Sequence, residues 1–563
     1  MKFLSSLAGS VNSVADSVKA KQSSLKTSMT RSAPGPSVPI PEAGGGAAEA
    51  PQDGTGRTPS ILQRPLRLGS FDFDGGPTFP DLYHEASTML HLSNLIYVLA
   101  EIREMARTGA LGDSTISSRV LDLPLRLDDA AKILLSEAPL LREKYDDGAH
   151  AALMGAIGSL LGRHEAVARE AALAATADAG KEDAGTAGAF GWIANWCGGP
   201  ASADGGGGGD DVGDSKTEPG GASMITAVGD SRSNEELVYA VGVNHLEGRI
   251  TVIFRGSATR ADFLADSRIS LVRAPGPRAF HGAGGGGGDD DDDPPDDDVG
   301  VHQGFHEYLM GEQKDGRPSK YAEIMAIVER SLAEAPALAS GRRGGYRLYV
   351  TGHSLGGALA TLFGFYASAS PAINAPVTIV SVASPRVGNV EFARAFVGLE
   401  SRGRVRHLRI ANHRDPVTLG PTVSARRALA LSAKAVSPLG YLALLVTGNG
   451  EGGDEEVYYH TGMKMKLLRN ASPETNRRCE LSYNGATILA GAKKLADADT
   501  DADDLADMEQ AKSSKKYGKS SSELPMVQYH YGDAYAERMR QVEPDLKGLT
   551  LNDLYRSKAR GML

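Results

Sequence analysis

Between Tyr346 and Ile410 the chain alternates short apolar runs with longer amphipathic ones, and that order leaves few folds open. Tyr346–Thr351, Val377–Ala383 and Val405–Ile410 read as strands, and Ser354–Ala369 and Val390–Val397 between them read as helices. Strands separated by a helical crossover pair in parallel, because a hairpin turn can only reverse the chain. Upstream, "LVYAVGVNHLEGRITVIFRG" predicts two strands joined by a turn at Asn244–Gly248, and Lys320–Glu334 predicts another helix. The expected fold class is α/β, with a mostly parallel central sheet covered by helices.

Only part of the 563 residues can build that core, since 68 are glycine and aromatic residues make up 6%. Residues 1–79 are rich in Ser, Pro and Gly and read as disordered, apart from an amphipathic helix over 2–19 that puts Phe3, Leu4, Leu7, Val11, Val14 and Val18 on one face. That face, followed by Lys19, Lys21 and Lys26, fits an organellar targeting peptide or an interfacial helix. Residues 80–175 read as an N-terminal helical annex and 176–235 as a low-complexity linker carrying the apolar island around Trp192 and Trp196. The α/β domain is expected over 236–545, with disordered insertions at about 274–300 and 494–522, and 546–563 as a C-terminal tail.

A net charge of −10 argues against general nucleic-acid binding. Two cysteines, Cys197 and Cys479, cannot make a disulfide scaffold and favour an intracellular compartment, cytoplasmic or membrane-associated. No stretch of about 18 uninterrupted apolar residues marks a membrane span; Lys434 and Pro438 break the best one, 428–446. "YGKS" at Tyr517–Ser520 lacks the first glycine of a P-loop, and no His-Glu pair has the second histidine of a zinc-protease motif. The Asp289–Asp298 run reads as a solvated charge run rather than a calcium site.

The chemistry gathers at "VTGHSLGGALA". A bare G-x-S-x-G arises by chance about once in a chain this rich in glycine, so the flanks must decide. Here a strand precedes Ser354 and a small-residue helix follows it, which is the setting of a nucleophile elbow. Such a serine needs a base and an orienting acid. Asp415 follows the Val405–Ile410 strand and precedes a proline, so it sits at the sheet's carboxyl edge; in isolation it could equally be a turn-capping residue. Among the histidines, His407 is expected inside a strand and His413 lies too near Asp415, which leaves His460 and His530.

Taken together, these blocks resemble the fungal-type (class 3) lipase family of α/β-hydrolases. "VIFRGS" at Val252–Ser257 is similar to the family's oxyanion strand, "ATRADFLAD" to its lid with Asp266 as a bracing acid, and "VHQGF" to its H-x-G-F block. "SPRVGN" at Ser384–Asn389 and "RDPV" at Arg414–Val417 follow in order. The resemblance implies a triad of Ser354, Asp415 and His530, the last chosen over His460 because "HYGDAYAERM" resembles the family's final block. It further implies an oxyanion hole from the N–H groups of Ser257 and Leu355, and no metal or organic cofactor. The implied substrate is a lipid ester, first an acylglycerol, with phospholipid (A1) or galactolipid acyl esters as alternatives, met at a membrane or lipid-droplet surface. Thr418 stands where the family often has proline, and the insertions leave the lid and pocket open. A catalytically silent scaffold and a non-lipid esterase or acyltransferase are the readings from other classes.

Overall fold

A computed structural model of the protein describes residues 79–110, 114–126, 223–232, 236–245, 247–257, 270–277, 299–313, 316–338, 345–421, 457–471, 476–483 and 529–559. The expected 2–19 helix, the lid block with Asp266, the tryptophan island, the Asp289–Asp298 run, the 428–446 stretch and the 494–522 insertion lie outside those residues.

In chain order the elements are α1 (Leu82–Arg107), α2 (Ser114–Leu121), β1 (Leu125–Arg126), β2 (Ser223–Gly229), β3 (Tyr239–Asn244), β4 (Arg249–Phe254), β5 (Leu271–Arg273) and β6 (Gly300–His302). There follow α3 (Gln303–Met310), α4 (Lys320–Leu338), β7 (Arg347–His353), α5 (Leu355–Ala369), β8 (Val377–Val382), α6 (Val390–Ser401) and β9 (Val405–Asn412). The last are β10 (Met463–Leu467), β11 (Cys479–Tyr483), α7 (Gly532–Gln541), α8 (Glu543–Leu546) and α9 (Leu551–Ala559).

Among the described residues the main sheet runs β1-β2-β3-β4-β7-β8-β9-β10-β11. β4, β7, β8, β9 and β10 are mutually parallel, and antiparallel strands close both edges. This is the mostly parallel α/β sheet that the strand–helix alternation predicts, and it fits the α/β-hydrolase that the resemblance implies. Period-two alternation splits the sheet between two cores. Leu348 and Val350 of β7 face α3, α4 and α5, whereas Tyr349 faces α1 and α7–α9.

Three boundaries differ from those expected. α1, read as the start of an annex, lies on the sheet: Leu82, Ala86, Met89 and Leu90 are fully buried in one core with Tyr349, Val380 and Leu408. Asp81 starts it by accepting the N–H of Tyr83 at 3.0 Å and of His84 at 3.3 Å. The assigned linker ends early, because β2 pairs with β3 inside the sheet. The assigned tail holds α9, whose Leu551, Leu554 and Tyr555 share one helical face and pack on the α1 side. The start of α1 meets the turn before α9 there, with the Leu82 N–H on Leu549 O at 2.7 Å and the Gly548 N–H on Asp81 Oδ2 at 2.7 Å.

Candidate active site

β7 reverses into α5 through a single residue, Ser354, held at φ 60° and ψ −127°. An L-residue in that region carries about 1–3 kcal/mol of strain. Close packing fixes the turn. A Cβ at Gly352 would lie 2.3 Å from Gly356 O, and one at Gly356 would lie 2.4 Å from Phe254 O, so neither position can carry a side chain without moving backbone. The Ser354 N–H donates to Val382 O at 2.9 Å, and Gly357 and Ala358 donate to Ser354 O to begin α5. The hydroxyl is thereby raised at the carboxyl edge of the parallel strands, where α/β sheets bind ligands.

His530 Nε2 lies 2.9 Å from Ser354 Oγ, and its Nδ1 lies 3.1 and 3.0 Å from the two oxygens of Asp415. An ionised carboxylate only accepts, so the proton belongs on Nδ1 and Nε2 is left to accept the serine hydroxyl. Asp415 leaves β9 through a short loop and is buried to 1% exposure. Its Oδ1 accepts the Val417 N–H at 2.9 Å and its Oδ2 accepts the Tyr535 hydroxyl at 2.6 Å. With His530, these donors replace the water that a buried carboxylate loses.

Three further histidines, His460, His407 and His302, point elsewhere. His460 Nε2 donates to Thr418 O at 2.7 Å, and the Thr418 hydroxyl donates to Asp415 O at 2.9 Å, so His460 braces the loop that carries the carboxylate. His407 sits inside the sheet between Ser381 Oγ at 2.8 Å and Thr461 Oγ1 at 3.1 Å. His302, from the H-x-G-F block, accepts the Phe305 N–H at the start of α3 and stacks on the Phe305 ring. Burial pushes its imidazole down to about 3, consistent with a neutral structural group.

The exit of β4 passes directly over the elbow. A Cβ at Gly256 would stand 3.2 Å from Ser354 Cβ and 2.3 Å from His353 O, which puts Ser257 one residue beyond a direct contact with Ser354. Leu355 opens α5, and the N–H of a first helical residue has no acceptor within its own helix. Both positions expected to form an oxyanion hole thus border Ser354, and the helix N-terminus favours negative charge there.

Several residues around the site were not singled out from sequence. Tyr535 lies in the quoted "HYGDAYAERM" but carries no local sign of its role, and burial beside Asp415 raises its phenol well above 10. His353 sits inside the elbow motif itself. Asn94 of α1 donates to Gly532 O at 3.2 Å and Asn412 of β9 donates to Tyr529 O at 2.9 Å, holding the loop on either side of His530.

Residues 251–425 match the family model described as Lipase (class 3). Phospholipase A1-Ialpha2, chloroplastic, of Arabidopsis thaliana is 33% identical over 182 residues, 31% of this chain and 33% of that protein. Phospholipase A1-II 3 of Oryza sativa subsp. japonica is 32% identical over 201 residues, 33% and 41% of the two chains. Galactolipase DONGLE, chloroplastic, of Arabidopsis thaliana is 31% identical over 214 residues, 37% and 39%. The matched part thus spans between 33% and 41% of the length of these relatives. Among solved structures, a triacylglycerol lipase from Penicillium expansum is 20% identical, covering 47% of this chain and 75% of that one at a TM-score of 0.29. Residues 251–425 belong to the class 3 lipase family of the α/β-hydrolase superfamily.

Proposed function

We propose that the chain is a serine hydrolase of lipid acyl esters, working through an acyl-enzyme on Ser354. The observation that carries this reading is the unbroken series of hydrogen bonds from Ser354 Oγ through the His530 ring to Asp415. His530 Nε2 takes the hydroxyl proton as Oγ attacks the ester carbonyl, and Asp415 stabilises the imidazolium and holds its tautomer. The carbonyl oxygen becomes an oxyanion received by the N–H groups of Ser257 and Leu355, each contributing about 3 kcal/mol in the transition state. The imidazolium then gives its proton to the leaving alcohol. In the second half His530 deprotonates a water, which attacks the acyl carbonyl, and the fatty acid departs as Ser354 regains its proton. The sequence of steps asks for no metal or organic cofactor.

For the substrate, relatives named as phospholipases A1 and a galactolipase support a polar glycerolipid ahead of the acylglycerol first expected. Two of those relatives are named chloroplastic, which agrees with an organellar address in the amphipathic stretch 2–19. Among the described residues no helix is long and apolar enough to cross a membrane; contact with a membrane or lipid-droplet surface enters the proposal because a lipid ester is met there.

The test is fatty-acid release from phosphatidylcholine and monogalactosyldiacylglycerol vesicles and from emulsified triacylglycerol, by the wild type and by Ser354→Ala. The reading expects release by the wild type, fastest on a polar lipid, and a loss of at least about a thousandfold in the variant. Two folded and equally inactive proteins would return the chain to a silent scaffold.

A further inference from the structure

His353 precedes the nucleophile, and its ring is part of the catalytic loop's support. Its Nε2 lies 2.8 Å from the carbonyl oxygen of His530, and its Nδ1 lies 3.3 Å from the hydroxyl of Tyr97 on α1. A carbonyl can only accept, so Nε2 carries the proton, Nδ1 is bare, and the Tyr97 hydroxyl donates to it. The direction of every hydrogen bond is therefore fixed: Tyr97 to His353, His353 to the main chain of His530. The ring is 6% exposed, stands edge-on to Tyr97 with centroids 6.1 Å apart, and lies 4.9 Å from the His530 ring. Tyr97 also lies against the oxyanion turn, since a Cβ at Gly256 would come 2.0 Å from its hydroxyl.

We propose that His353 is a positioning residue: by holding the His530 carbonyl and being held by Tyr97, it sets the reach of the His530 ring to Ser354 and Asp415. Ser354 and His530 are 176 residues apart in sequence, yet His353 shares a peptide bond with one and a hydrogen bond with the other. Asn412 and Asn94 hold the carbonyls of Tyr529 and Gly532, but His353 alone among these three holds that of the base itself. Charge supports the same role. Burial, and next the neighbouring His530, push the His353 imidazole down to about 3, so it is neutral when His530 must accept a proton. A second imidazolium at that separation would oppose the one that forms in the first step.

The inference rests on the proposed hydrolase reading, and the experiment separates the two. Steady-state hydrolysis of a soluble short-chain ester is measured for the wild type, Ser354→Ala, His353→Leu, His353→Gln and Tyr97→Phe, each with its thermal melting curve. Ser354→Ala as active as the wild type would overturn the hydrolase reading, whatever the other variants do. His353→Leu is expected to lower kcat by about tenfold to a hundredfold, the scale of a misplacement near 1 Å, with KM within about twofold. The Gln amide offers an N–H donor at one atom and an acceptor at another, as the neutral imidazole does, and is expected to restore kcat to within about fivefold; Tyr97→Phe should fall between. Wild-type kcat in His353→Leu, or equal losses in Leu and Gln, would overturn the proposal. Should the Leu protein not fold, the proposal stands if Gln is near wild type and Phe is slowed, and falls if Phe runs at the wild-type rate.

Discussion

The Tyr535 hydroxyl donates to Asp415 Oδ2 at 2.6 Å while accepting the backbone N–H of Asn412 at 2.9 Å. One phenol, fully buried on α7, therefore serves both Asp415, the proposed triad acid, and the last residue of β9. Tyr535→Phe keeps the ring, leaves the buried Asn412 N–H without this acceptor and takes one of its donors from Asp415. Leaving a buried donor unpaired costs about 1–3 kcal/mol, and the unfolding free energy measured by urea titration should fall by that amount. Asp415 would also lose a donor that holds it towards His530 Nδ1, so kcat should drop about tenfold at nearly constant KM. Stability loss with unchanged kcat would confine Tyr535 to the fold.

Beneath the sheet, Glu85 of α1 pairs with Arg406 of β9, and neither side chain meets solvent. Tyr349 donates to the same Glu85 oxygen at 2.8 Å, and Arg406 donates to Thr378 Oγ1 at 2.8 Å. The Arg406 guanidinium also stands 3.6 Å from the centre of the Phe79 ring. Glu85→Ala leaves a buried guanidinium without its counter-charge and should cost about 3–5 kcal/mol. Replacing both partners, Glu85→Leu with Arg406→Met, removes both charges together and should recover most of that loss. Chemical denaturation of the two proteins checks the order; a double variant no more stable than the single one would refute it.

What the sequence reveals follows from how locally each feature is encoded. The β7–elbow–α5 unit is legible because strand periodicity, the glycines 352 and 356 and the apolar face of α5 all fall within 23 residues, Arg347–Ala369. β10 and β11 were not assigned: "MKMKL" and "CELSY" are short and mix charge with apolar residues, and their strand state comes from pairing with β9 and with each other. α1 shows helical spacing but not what it lies against, so Asn94 and Tyr97 could not be connected to a loop more than 430 residues away. The sequence leaves both His460 and His530 open as the base, and only the fold turns His460 to a backbone carbonyl and His530 towards Ser354.

Glu400 is a buried carboxyl that the catalytic steps do not use. Burial raises it to about 7 from an ordinary 4.5, although the Tyr555 and Tyr483 hydroxyls donate to it at 2.6 and 2.7 Å. Between those two values the folded chain keeps a proton that the unfolded chain has lost. Stability should therefore fall as pH rises through that window, by at most about 1.4 kcal/mol per pH unit from this group, and level off above it. Glu400→Gln cannot ionise and should lose that slope, so its advantage over the wild type should grow from pH 5 to pH 8. Parallel urea-stability curves for the two proteins across that range would remove Glu400 as the source.

Strain at the elbow makes the last prediction, because two inactive variants should differ in stability. Ser354→Ala and Ser354→Gly both delete Oγ, the proposed nucleophile, and its bond to His530. Only glycine occupies φ 60° and ψ −127° without a Cβ penalty. Flexibility gained by the unfolded glycine chain works the other way and is worth about 0.4–1 kcal/mol. Strain of about 1–3 kcal/mol at this position exceeds it, so Ser354→Gly should be the more stable of the pair by about 1 kcal/mol. Thermal and urea unfolding of the two proteins measure the difference directly. The Ala variant equal to or above the Gly variant would mean that the turn holds Ser354 without storing strain.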